Sequence, residues 1–139
     1  RPASAAATKL KKDRGVPTIE LEPTEDVLSG LASQRRPDQT LVGFAAEHGE
    51  GAVEYGAGKL EAKGLDAIVV NDIAKPGIGF DSPENEVTIL VAGGRRRRVP
   101  RAAKVVVADA VLDEVERIRR STRDEDGAVR AGAGSTAGL

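Results

Sequence analysis

A chain of 139 residues with a formal net charge of −1 has room for one domain and offers no overall electrostatic case for nucleic acid or a membrane surface. It has no cysteine and one histidine, His48, which excludes a disulfide framework, thiolate chemistry, Cys/His zinc sites and His-pair catalysis. Hydrophobic residues make up 40% and charged residues 31%, as in a soluble globular domain, but aromatics only 2%, so the core must be built from Val, Ile, Leu and Ala.

No apolar run reaches the roughly 18 residues of a membrane helix, and no secretory signal is legible, so a cytoplasmic protein is expected. The chain opens Arg1-Pro2 and reads as though cut from something longer. Residues 1–15 are small and basic. Lys9-Leu10-Lys11-Lys12 reads either as a solvated arm or as a flexible flap that closes on phosphate. Val16–Glu22 alternates in its second half and is expected to be a strand, with Pro17 placing it at an edge or in a connecting ribbon.

Pro23-Thr24-Glu25-Asp26 starts a helix, with Thr24 as the expected N-cap and Asp26 as a first-turn charge. Its apolar face is Val27, Leu28, Leu31 and Ala32, and it ends near Gln34. Thr40–Ala45 reads as the central buried strand of a parallel sheet, turning at a Phe44-Ala45-Ala46 corner that ends in Glu47. Phe44 and Phe80 each follow a glycine, which marks them as candidate site walls.

Ala52–Lys63 is the next helix, weakened by Gly56 and Gly58. Lys59 and Lys63 stand four apart and share a face, which reads as an ordinary charged surface. Gly56-Ala57-Gly58-Lys59 fails as a P-loop, because Val53 stands where its first glycine belongs and Leu60 where Ser or Thr would hold magnesium. Gly64 stops the helix, and Asp66–Val70 is a second buried strand, making a parallel βαβ unit with Asn71-Asp72 at its carboxyl end.

Ile73–Pro83 is a Gly/Pro-rich loop suited to cover a site. Asn85–Val91, the Gly93-Gly94 turn and Arg95–Val99 form a hairpin. The arginine run on it lacks stacking aromatics, so a solvated hairpin outranks a nucleic-acid surface. Ala103–Arg120 is a long helix with Ala108, Val111, Leu112, Val115 and Ile118 inward and Asp113–Arg117 and Glu116–Arg120 as wet-side pairs. Residues 121–139 have little to bury and are expected to be a disordered tail. The class is α/β: the C-terminal part of a Rossmann-like, mostly parallel sheet with flanking helices and a C-terminal hairpin plus helix. The rest of that sheet would lie in residues outside this chain.

Four blocks in order now carry a resemblance: RPA with KLKK at 9–12, PTEDVL at 23–28, GFAAE at 43–47, and KLEAKGLDAIVVNDI at 59–73 continued by GIGFDSPENEVTIL at 77–90. Over roughly residues 1–118 the chain resembles the C-terminal half of bacterial phosphopantothenate–cysteine ligases. The resemblance implies a ligase domain joining 4′-phosphopantothenate to cysteine with CTP and magnesium, through an acyl-cytidylate. It implies nucleotide or phosphate contacts at Lys9, Asp26, Phe44, Ala45, Lys59 and Lys63, and pocket positions at Asn71, Asp72 and Phe80. It further implies a homodimer through the 16–22 strand region, with the Lys9 flap reaching the neighbouring protomer. The family's asparagine that handles the acyl-cytidylate falls in the missing N-terminal half, and FMN belongs only to the decarboxylase domain often fused ahead. Departures are His48 in place of a usual threonine, Glu25 in place of proline, and the glycines in the Lys59 helix. The alternative is a non-catalytic dimerisation or nucleotide-binding fragment.

Overall fold

The computed structural model describes residues 1–4, 18–78 and 81–133, with side chains to residue 124. Among them are three helices, α1 (Val27–Ser33), α2 (Ala52–Ala62) and α3 (Lys104–Ala133), and four strands, β1 (Val42–Glu47), β2 (Ala67–Asp72), β3 (Glu84–Val91) and β4 (Arg96–Ala103). The strands form one sheet in the order β1-β2-β3-β4. β1 and β2 are parallel, as expected for strands joined by α2, with Phe44 opposite Val69 and Glu47 opposite Asp72. β2–β3 and β3–β4 are antiparallel, so the sheet is mixed and not mostly parallel. The reason is the 73–83 connection. It contains no helix among its described residues, and without a helical crossover the chain returns antiparallel.

Among the described residues β1 is therefore an edge strand and not the centre of the sheet. It also continues through the expected corner, since Phe44, Ala45 and Ala46 are paired strand residues opposite Val69, Val70 and Asn71. The two sheet faces bury separate cores. One holds Ala67, Val69, Val87, Ile89 and Val99 against Val107 and Ala110 of α3. The other holds Ala45, Ile68, Val70 and Leu90 against Ala52 and Leu60 of α2. The period-2 alternation of β1 and β2 thus assigns each side chain to the α2 or the α3 side.

α2 buries Ala52, Gly56 and Leu60, a stripe at i, i+4 and i+8. Gly56 is a packing requirement more than a weakness, because a Cβ there would overlap Val70 Cγ2. Gly64, at φ +58°, closes the helix as expected. In α1 the N-cap is Asp26 and not Thr24; its Oδ1 accepts the Ser29 N–H at 3.1 Å.

α3 turns a different face inward than its apolar pattern suggests. Val107, Ala110 and Glu114 are buried, with Val111 and Ile118 partly so, while Ala108 and Leu112 are exposed. Glu114, 2% exposed, is the buried charge. Arg95 Nη2 reaches its Oε2 at 2.7 Å, and Arg97 and Arg117 reach its Oε1 at 3.3 Å. This accounts for the arginine run: Arg95 and Arg97 pin the hairpin to α3, and Arg98 pairs with Glu86 at 3.1 Å. It also redirects Arg117 away from Asp113, which meets Arg97 at 3.5 Å, whereas Glu116–Arg120 forms as expected at 2.8 Å.

Helix α3 runs past Arg120 to Ala133. Ser121 and Thr122 donate to the Arg117 and Ile118 carbonyls, and Arg, Glu and Ala favour propagation. Residues 134–139 lie outside the described residues. At the other end, Pro2 bridges Leu21 antiparallel, with Ala3 N–H on Glu20 O and Glu22 N–H on Arg1 O, both at 2.9 Å. No described helix is long and apolar enough to cross a membrane.

Candidate functional site

The carboxyl ends of β1 and β2 carry the chemistry-bearing residues, and alternation sorts them. Gly43, Ala45 and Glu47 face α2, while Val42, Phe44 and Ala46 face the α3 side. In β2, Asp72 shares the α2 side and Asn71 the other.

On the α2 side two lysines meet two carboxylates. Lys59 Nζ lies 2.5 Å from Glu47 Oε1, at the end of β1. Lys63, which caps α2, lies 3.2 Å from Asp26 Oδ2 at the start of α1. Two residues singled out from sequence, Asp26 and Lys63, are thus brought together across 37 positions. The Ser29 N–H, joined by the Ser29 hydroxyl and the Lys63 ammonium, holds the Asp26 carboxyl below its ordinary value. Both lysines line an open hollow of about 490 Å³ along α2, with Gly51, Tyr55 and Ala62. Tyr55 is largely exposed one helical turn before Lys59. Glu47 and Tyr55 were not singled out as site residues. The 51-55-59-63 register was the available signal for Tyr55.

Asp72 lines a small hollow with Gly49, Lys75 and Glu86, and it also joins two turns. Its Oδ1 accepts the Gly49 N–H at 2.8 Å and the Ala74 N–H at 2.9 Å. One carboxylate thereby ties the β1–α2 turn to the β2–β3 loop, and the two N–H groups lower its pKa, Gly49 first. The same loop is strapped from β3 and β4. Lys75 Nζ meets Glu86 Oε1 at 2.5 Å, which depresses the Glu86 pKa with help from Arg98. Arg101 donates to the Pro76 and Gly77 carbonyls at 3.3 Å and to Glu84 at 2.8 Å.

The remaining expected residues separate from this group. Ala45 is buried in the α2-side core. Phe44 is 74% exposed on the opposite face of β1 from the lysines, with Asn71 on that same face. Lys9 and Phe80 lie outside the described residues. No group of three or more His, Asp or Glu among the described residues is placed to hold a metal.

The arrangement is a pair of cations one turn apart on α2, each resting on a carboxylate from another element: Lys59 on Glu47 at the carboxyl end of β1, and Lys63 on Asp26, where α2 runs down toward the start of β2. The family model described as DNA/pantothenate metabolism flavoprotein C-terminal domain matches residues 1–118. The chain belongs to that family.

Among relatives, the chain is 40% identical over 114 residues to the coenzyme A biosynthesis bifunctional protein CoaBC of Bacillus subtilis, covering 82% of this chain and 28% of that protein. It is 36% identical over 124 residues to CoaBC of Mycobacterium bovis, covering 83% and 29%. A crystal structure of the C-terminal domain of a CoaBC is similar at a TM-score of 0.61 and 33% identity, over 74% of this chain and 46% of that one. The chain thus spans less than a third of the curated CoaBC proteins it matches and under half of the solved domain. The family match runs through the elements that carry Asp26, Glu47, Lys59, Lys63 and Asp72 and ends just before the last turns of α3.

Proposed function

We propose that this chain is the C-terminal part of a CTP-dependent phosphopantothenate–cysteine ligase acting in coenzyme A biosynthesis. In the reaction, a carboxylate oxygen of 4′-phosphopantothenate attacks the α-phosphorus of CTP, and pyrophosphate leaves. The cysteine amine then attacks the acyl carbon of the acyl-cytidylate, and CMP leaves as the amide forms. Neither step is assigned a base or nucleophile from this chain. Its part is to hold and neutralise the nucleotide.

The observation that carries the reading is the Lys59/Lys63 pair on Glu47 and Asp26. A triphosphate entering the hollow along α2 draws both ammonium groups off their carboxylates, at positions one turn apart that suit successive phosphates. Tyr55 offers an exposed aromatic face at the same hollow. The described residues provide no cluster that would cage a metal. Magnesium, which would help neutralise the phosphates, therefore fits only as an ion brought in on the nucleotide. Phe44, on the other side of the edge strand, fits a base that wraps over the rim of β1. Lys9 is proposed as the cation supplied from the 5–17 segment, whose base is closed by the Pro2–Leu21 bridge. Ile19, Leu21, Val27 and Leu31 are exposed, which supports a homodimer through the 16–22 region.

A second reading, a nucleotide-binding or dimerising fragment without turnover, is favoured by one observation. β1 has no strand on its outer side among the described residues, and the solved domain is more than twice as long as the matched part. The test is pyrophosphate release with CTP, phosphopantothenate and cysteine, with and without the preceding half of the domain supplied. Release only when that half is present supports the ligase. CTP binding without release in either case supports the fragment. Undiminished turnover by the Lys59→Gln/Lys63→Gln variant removes the lysines from the site.

A further inference from the structure

The far end of the sheet, at the amino ends of β1 and β2, carries a second cleft of about 480 Å³. One wall is the α1–β1 connection, with Arg35, Gln39 and Thr40; the other is the last part of α3, with Ile118, Arg119, Thr122 and Arg123. Its volume falls within the range of small-molecule sites, and eight of its ten lining residues are polar or charged.

The charges in this cleft do not cancel. Asp66 is engaged by Arg35 at 2.8 Å and by the Leu41 N–H at 2.7 Å. Asp38 is engaged by Arg36 at 3.2 Å. Both acidic groups of the lining are thereby neutralised, and Arg35 is fixed in place. Arg119 and Arg123 stand four apart on one face of α3 and meet no carboxylate among the described residues. That sets them apart. Arg1, Arg35, Arg36, Arg95, Arg97, Arg98, Arg101, Arg117 and Arg120 each hold an ion pair. Among arginines with described side chains, Arg96 alone joins Arg119 and Arg123 in having none, and it lies elsewhere, on β4. Two uncompensated guanidiniums facing one cleft, with the Thr40 and Thr122 hydroxyls and the Gln39 amide beside them, match a tetrahedral dianion.

We infer that this cleft is a phosphate site for a small phosphorylated molecule, separate from the hollow that holds Lys59 and Lys63. It joins a loop of the family-matched region to Arg119, Thr122 and Arg123, which lie beyond residue 118. The family match therefore does not carry it, and it stands or falls independently of the ligase reading.

The test is amide NMR of the 139-residue chain titrated at constant ionic strength with inorganic phosphate, phosphoethanolamine as a phosphomonoester, and sulfate. The expected result is saturable shifts at residues 35–40 and 118–123 with phosphate and the monoester. The Arg119→Gln/Arg123→Gln variant should bind about tenfold more weakly or worse, whereas Lys59→Gln/Lys63→Gln leaves this binding unchanged. Both arginines are exposed, so the variant should keep the wild-type spectrum elsewhere. Three outcomes overturn the inference. They are absence of saturable shifts at these residues, shifts spread over Arg95–Arg98 and the rest of the basic surface, and undiminished binding by the double arginine variant. Equal binding of sulfate would reduce the site to an adventitious ion only and overturn it as well.

Discussion

Gly56 and Gly58 are chemically the same residue two positions apart in one helix, and they should respond to alanine with opposite signs. Propensity alone predicts that each Gly→Ala change stabilises α2 by about 1 kcal/mol. At Gly58 nothing lies within 4 Å of the added methyl, so Gly58→Ala should realise that gain. At Gly56 the methyl meets Val70 Cγ2, on a buried β-branched side chain locked in the α2-side core. Overpacking of that kind costs about 1–3 kcal/mol, which equals or exceeds the propensity gain. The two variants should therefore differ by about 1–3 kcal/mol, or about 4–12 °C in melting temperature at roughly 4 °C per kcal/mol for a domain of this size. Thermal unfolding followed by far-ultraviolet circular dichroism reads the difference. The contact also sets the height of α2 over the sheet and hence the reach of Lys59 to Glu47, so on the proposed nucleotide reading Gly56→Ala should weaken CTP binding. Equal stabilisation by both substitutions would refute the claim that α2 is seated by the Gly56–Val70 approach.

Other outcomes follow from the site and the core. On the proposed ligase reading, Lys59→Gln should lower CTP affinity or turnover by about 10–100-fold, the worth of one charge-assisted hydrogen bond, with an unchanged melting curve. Glu114→Ala leaves Arg95, Arg97 and Arg117 without their shared carboxylate, and since all three are partly exposed and can turn to water the loss of stability should be about 2–3 kcal/mol by urea titration. Asp26, Asp72 and Glu86 all have carboxyls held below their ordinary values. Their contribution is full above the unfolded-state carboxylate range near pH 4 and is lost as pH falls through the lower folded-state values, so melting temperature should drop on acidification. Asp72→Asn should flatten part of that acid limb and raise amide exchange at Gly49 and Ala74.

What could be read in advance follows the range of the forces involved. The β1–α2–β2 unit was legible because two short aliphatic runs, a helix between them and Gly64 at its end are local signals. The hairpin was legible from Gly93-Gly94. The sheet order was not, because nothing local in Asn85–Val91 says that it will lie antiparallel on β2. The lysine pair was visible as i,i+4 spacing, but its rest positions on Glu47 and Asp26 depend on contacts across the fold. Glu114 was hidden for a different reason. Its position in the buried stripe of α3 became tolerable only when three arginines from two elements arrived. Phe44 and Asn71 were placed with the lysines because period-2 alternation was not carried through a segment read as a corner.

The two rims of the sheet are unlike. β4 lines its side with Arg96, Arg98 and Arg101 and interrupts it with Pro100, a combination that repels a further strand. β1 offers Val42-Gly43-Phe44-Ala45-Ala46 with no such guard. The sheet is thus built to grow in one direction only. An added strand should therefore pair with β1 rather than β4, and any concentration-dependent association of the chain should proceed through that rim.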